Sequence, residues 1–187
     1  MLNYDSVIKT EINQGGIHVK EITPVMKINL RGKKREFLTN VGKNLNMILP
    51  TEANTSTISD KLTAIWLSPD EWMIFSNNLV SKDKNKYELY VTLFNTISKT
   101  NLGAVTDVTD QFTQLELKGT NIYDLFSSGS PFNFNKFNEK KGSTTQTLLN
   151  HIDVIIHNKG DYNVNVFVRR SFALHLYDWI NDYASRT

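Results

Sequence analysis

The chain has 187 residues, 40% apolar and 21% charged, with 21 lysines and arginines against 19 aspartates and glutamates, a formal net charge of +2. These values fit one soluble globular domain and exclude a disordered or collagen-like chain; so small a net charge also argues against a general binder of nucleic acid or anionic membrane. There is no cysteine, which removes disulfides, thiolate nucleophiles, iron–sulfur clusters and zinc sites with sulfur ligands.

Residues 1–24, punctuated by Gly15-Gly16 and Pro24, read as an N-terminal arm, and residues 25–187 as a single domain of two packed halves. The start lacks the basic and apolar regions of a signal peptide, and the apolar runs are far below the roughly 20 residues of a membrane span, so the expected location is the cytoplasm. In 25–30, Met26, Ile28 and Leu30 alternate and predict a strand followed by a basic turn from Arg31 to Glu36. Residues 40–57, with Pro50, read as a connection holding a short strand or helix near 46–49.

LTAIWLSPDEWMIFS at 62–76 predicts a β-hairpin. Two apolar runs flank Ser68-Pro69-Asp70-Glu71, where proline presets the first corner of a type I turn and Ser and Asp bond nearby N–H groups. Tyr87, Tyr90, Phe94 and Ile97 then mark one face of a helix ended by Asn101-Leu102-Gly103. Residues 105–118 suggest one bent strand or two successive ones. Ile122, Leu125 and Phe126 form the stripe of a short helix, followed by a loop at 131–142 and an amphipathic segment around 145–150. HIDVII and YNVNVFVRR predict a second hairpin. Ser171 is placed to cap a last helix with Phe172, His175, Leu176, Trp179, Ile180 and Tyr183 on its stripe. Hairpin followed by helix thus occurs twice, which favours an α+β architecture of mostly antiparallel sheets backed by helices.

The residues define no catalytic, cofactor-binding or metal constellation. His151-x-Asp153 offers two ligands where a site needs more, and His175 on an apolar stripe reads as a core or interface imidazole. Asp107 and Asp110 suit Asx-turns as well as acid–base work. The glycine pairs lack the spacing of a phosphate loop. Arg31, Lys33, Lys34 and Arg35 have the charge to hold a phosphate or a polyglutamate tail, though a solvated turn is the simpler reading. Three tryptophans, seven tyrosines and ten phenylalanines at core spacing, without an active site, favour an interaction protein. Single-strand nucleic-acid binding through the aromatics would need a basic groove that a charge of +2 does not supply.

LRGK at 30–33, AIWLSPDEWMIF at 64–75, the 105–134 block from VTDVTD to SPFNF, and FVRRSFALHLYDWINDYA at 167–184 together resemble the gamma subunit of heterotetrameric sarcosine oxidase. The hairpin W-L-x-P-D-E-W and the R-S-F-A helix start are its specific parts. Two positions depart from the family pattern: Ser68 stands where glycine is common, and Ser130-Pro131-Phe132-Asn133-Phe134 replaces a Cys-Pro-Leu-Asp-Leu-like stretch.

The resemblance implies a fold similar to the folate-binding part of glycine-cleavage T-proteins. It also implies a non-catalytic, structural role in an assembly that oxidatively demethylates sarcosine to glycine. FAD, FMN, NAD and tetrahydrofolate are then expected on the alpha, beta and delta partner subunits, with contact chiefly to alpha. Arg31, Trp66, Asp70, Glu71, Trp72 and Arg170 are the expected framework or interface residues, the two acids being able to meet a basic partner residue. The alternative is a stand-alone folate-binding or one-carbon-transfer protein, with Asp107 and Arg31 or Arg170 as conceivable folate contacts.

Overall fold

The computed structural model describes residues 5–22, 25–77 and 87–187; Pro24, read above as punctuation, lies outside them. In chain order the elements are β1 (Ile12–Gln14), β2 (Ile17–Glu21), β3 (Lys27–Arg31), α1 (Arg35–Leu45), β4 (Ser56–Ile58), β5 (Leu62–Ser68), β6 (Glu71–Ser76), α2 (Glu88–Leu93), a π-helical turn (Phe94–Ser98), β7 (Ala104–Asp107) and β8 (Phe112–Lys118). Then follow α3 (Ile122–Gly129), α4 (Asn135–Glu139), β9 (Thr144–Leu149), β10 (Ile152–Gly160), β11 (Asn163–Arg169), a 3-10 turn (Arg170–Phe172) and α5 (Ala173–Arg186). These divide into two compact units, Val25–Thr109 and the described residues before 25 together with Asp110–Thr187.

The first unit is a five-stranded antiparallel sheet of order β4-β5-β6-β3-β7. Ile28, Leu30, Ala64, Trp72, Ile74 and Val105 form a core with Phe37, Val41 and Leu45 of α1 and with Leu93 and Ile97. Helix α1 occupies the stretch read as a basic turn and the start of a connection. It begins at Lys34 without a side-chain cap bond and contains Gly42, so the usual start signals are missing. What holds it is Phe37, Val41 and Leu45, four residues apart and all buried. Asn46, left-handed at φ 50°, ends it.

The helix expected at 87–100 is present as α2 followed by the π turn. Tyr87, Leu93 and Ile97 are buried, while Phe94, the first residue of the π turn, is 37% exposed. The hairpin at 62–76 is as expected, with Trp66 opposite Trp72 and a bulge between Trp66 and Ser68.

The second unit is a six-stranded antiparallel sheet of order β1-β2-β8-β11-β10-β9. Leu115, Leu117, Val154, Ile156, Val164, Val166 and Val168 face Ile122, Leu125 and Phe126 of α3 and Leu176, Ile180 and Ala184 of α5. Residues 105–118 resolve into two strands, one in each sheet. The stretch read as an arm supplies the hairpin β1–β2, turned at Gly15-Gly16, where both φ angles are positive. A Cβ on Gly15 would come within 2.4 Å of the Ala184 carbonyl, so that turn admits no side chain.

The loop at 131–142 contains α4, and its Phe132, Phe134 and Phe137 stack edge-on or tilted among themselves; Phe134 and Phe137 also meet Tyr123, and Phe134 meets Phe126. The amphipathic segment at 145–150 is the strand β9. Ser171 lies inside the 3-10 turn and does not cap α5, whose first turn follows Phe172 without a side-chain cap. The buried stripe of α5 is Ala173, Leu176, Ile180 and Ala184. Phe172 and His175 are exposed, which corrects their placement on the apolar face: the 3-10 turn sets the rotation of the helix and brings the small Ala173 inward.

Candidate functional site

Five of the six expected framework residues gather at the β5–β6 hairpin and the end of β3. The Ser68 hydroxyl donates to Asp70 Oδ1 at 2.8 Å, and the Asp70 N–H points back to Ser68 Oγ at 3.4 Å. Ser68 has no positive φ, so serine in place of glycine is compatible with this turn. Glu71, paired with Arg31 in the β3–β6 register, takes a 3.1 Å contact from its guanidinium and a 2.7 Å hydrogen bond from Asn29 Nδ2. Lys33 Nζ lies 3.5 Å from Asp70, and the Gly32 N–H donates to the Asp70 carbonyl at 3.0 Å. The Ser68 hydroxyl, with Lys33 beside it, holds the Asp70 carboxyl below its ordinary range. Both acids expected at the tip therefore have basic partners within the chain, and two members of the basic run are engaged by them.

Behind the tip, Trp72 is buried and stacks on Phe37 with ring centroids 6.0 Å apart, while Trp66 is half-buried against the same core. Arg170 belongs to the second unit. Its backbone N–H donates to the Gln111 carbonyl at 2.9 Å, and its guanidinium donates to the Asp5 carbonyl, so it ties the N-terminal segment to the end of the six-stranded sheet.

The sheet of the second unit carries a polar constellation on the face turned away from α3 and α5. Register places His157 opposite Asn165, Asn165 opposite Glu116 and Glu116 opposite Lys20, one row of side chains sharing a face. In the next row Lys118 lies between Asn163 and His18. Lys159 Nζ reaches Glu116 Oε1 at 2.6 Å, and Lys118 and Lys20 reach Oε2 at 3.2 and 3.4 Å. Asn163 Nδ2 stands 3.4 Å from Oε1. Burial pushes the Glu116 carboxyl up, but hydrogen bonds and charge from Lys159 and Lys118 outweigh it and bring the pKa down to about 2. Burial, with Lys159 adding to it, lowers His157 to about 4.

Sequence reasoning missed this cluster. Its members lie at positions 20, 116, 118 and 159, and only strand pairing joins them. The available signal is a glutamate alternating with the core residues Leu115 and Leu117, which demands cationic partners once the strand is central and the carboxylate buried.

Asp153 stands apart from that cluster, in a groove of about 540 Å³ with Phe112, Ile155, Phe167 and Arg169. His151 is in the β9–β10 turn with φ 66°, and no group of three or more His, Asp or Glu placed to hold a metal occurs among the described residues. Asp107 accepts the Thr109 N–H at 3.0 Å, the Asx-turn expected of it. No helix among the described residues is long and apolar enough to cross a membrane.

Two antiparallel sheets, each with helices on one face, define a recognisable fold. One chain of a heterotetrameric sarcosine oxidase from Corynebacterium sp. U-96, in complex with pyrrole 2-carboxylate, superposes with a TM-score of 0.81 at 18% identity, covering 94% of this chain and 88% of that one. The glycine cleavage system aminomethyltransferase T from Bartonella henselae superposes with a TM-score of 0.59 at 16% identity, over 86% of this chain and 44% of that one. The fold is thus of the T-protein-like type. In sequence, the family described as sarcosine oxidase, gamma subunit, matches residues 32–186, and no curated protein matches. The chain belongs to the sarcosine oxidase gamma subunit family.

Proposed function

We propose that the chain is the non-catalytic, structural subunit of a heterotetrameric sarcosine oxidase, an assembly that oxidatively demethylates sarcosine to glycine with tetrahydrofolate accepting the one-carbon unit. FAD, FMN, NAD and tetrahydrofolate reside on the alpha, beta and delta partners in this reading, and the chain packs chiefly on alpha. The family match from residue 32 to 186 carries it. The hairpin charges add support: with Asp70, Glu71, Arg31 and Lys33 paired to one another, that corner is built for shape and not for proton transfer.

Co-expression of the chain with candidate alpha, beta and delta subunits tests the proposal, with one flavin-containing complex that includes this chain as the expected product. A flavin-loaded complex of full activity assembled without the chain overturns it. The likeness to an aminomethyltransferase fold supports the second reading, a stand-alone folate-binding protein. Calorimetry on the isolated chain decides between them: stoichiometric tetrahydrofolate binding favours the second, and its absence the first.

A further inference from the structure

We propose that Lys20, Lys118 and Lys159, gathered by Glu116 on the face of the six-stranded sheet turned away from α3 and α5, form a binding site for a dianionic phosphate group. One carboxylate neutralises one of three ammonium charges, so the cluster carries an excess of +2, equal to the formal net charge of the whole chain. Each ammonium has three N–H donors and no acceptor. Contact with Glu116 uses one donor from each and leaves the rest to solvent, because the lysine side chains are 36–46% exposed while Glu116 is 7% exposed.

Glu116 thus acts as a pin beneath the surface. It overcomes the mutual repulsion of three cations and holds them in place before any ligand arrives, which spares the ligand the cost of ordering them. Lys20 and Lys118 contact the same oxygen, so their separation cannot exceed the sum of two contact distances, a span that a phosphate-sized anion bridges.

The charge and donor pattern selects among anions. A single carboxylate compensates half of the excess and offers two oxygens to three ammonium groups. A phosphate group compensates all of it and has an oxygen for each. Neutral groups line the row beside the lysines: Asn165 is buried, and His157 is uncharged at neutral pH. Glu11, the acid beside His18 in the adjoining row, is paired with that histidine at 3.0 Å. This proposal stands apart from the assembly reading and survives its failure.

Titration of the isotope-labelled full chain with inorganic phosphate, in chloride buffer at constant ionic strength, tests it by NMR. Saturable shifts are expected at the amides of Lys20, Lys118 and Lys159. Affinity should fall about thirtyfold in Lys118→Gln, the factor expected of one unit charge facing a dianion near contact in water, and stay unchanged in Lys99→Gln. Lys20→Gln repeats the test should Lys118→Gln fail to fold. Tighter binding of glycerol phosphate than of inorganic phosphate assigns the site to a phosphate ester, and the reverse to the free ion. Shifts that never saturate, that are equal in Lys118→Gln, or that occur with a polyglutamate peptide and not with phosphate overturn the proposal.

Discussion

The indole N–H of Trp72 donates to the carbonyl oxygen of Pro50 at 2.8 Å, joining β6 to the irregular segment between α1 and β4. The bond is buried, so the Pro50 carbonyl depends on it for a partner in place of water. Trp72→Phe keeps an aromatic ring against Phe37 but removes the donor, and a loss of about 1–3 kcal/mol is expected. Urea unfolding of the two proteins measures it; equal midpoints would show that water replaces the indole.

Asn158 plays a comparable part in the second unit. Its side chain is fully buried, and Nδ2 donates to the carbonyls of Phe137 and Lys140 at 2.7 and 3.2 Å while Oδ1 accepts the Gly160 N–H at 2.8 Å. One amide therefore fastens the aromatic loop with α4 to the end of β10. Asn158→Ala should cost about 2–4 kcal/mol, since the buried Phe137 carbonyl and two part-buried backbone groups lose a partner together. Asn158→Asp should cost at least as much, because an anion would face carbonyl oxygens. Thermal unfolding followed by near-ultraviolet circular dichroism reports both.

Elements with a local signature were legible in the sequence, and those assembled by tertiary contact were not. Ser68-Pro69-Asp70-Glu71 named its own turn, and Val164, Val166 and Val168 alternated as a strand with one covered face must. Helix α1 was hidden because asparagines, Gly42 and an uncapped start weaken every local cue, leaving only Phe37, Val41 and Leu45, whose role shows once a sheet lies opposite. The hairpin β1–β2 was read as an arm since Ile12, Ile17 and Val19 acquire their burial from distant residues of the same unit. Of the candidate residues, Trp72 was recognisable by size alone. The ion pairs of Asp70 and Glu71 with Lys33 and Arg31 needed the β3–β6 register, just as the Glu116 cluster needed four strands.

His157 and Glu116 should make stability fall with acid in two steps. Both have folded-state pKa values below their ordinary ones, so both contribute stability above the ordinary value and lose it as pH falls. For His157 the window runs from 6.5 down to about 4, as the unfolded chain takes up a proton that the folded chain refuses. For Glu116 it runs from 4.5 down to about 2. Its contribution is on the order of 2 kcal/mol once the solvent around the lysines is allowed for. His157→Gln should flatten the upper window and Glu116→Gln the lower one, each leaving the other slope in place, as read from urea midpoints at successive pH values.

The turn Asn150-His151 between β9 and β10 puts both residues at positive φ, 48° and 66°, the geometry of a two-residue type I′ hairpin loop, in which Asn-Gly is the favoured pair. Asparagine tolerates that conformation, whereas a histidine Cβ crowds the following carbonyl. The His151 side chain is exposed, so its removal sacrifices little packing. His151→Gly should therefore stabilise the protein by about 0.5–1 kcal/mol, the relief of left-handed strain exceeding the extra freedom glycine gives the unfolded chain. A raised melting temperature with an unaltered zinc titration would also remove the histidine from any account of metal binding. A lowered melting temperature would show that the imidazole makes a contact worth more than the strain it imposes.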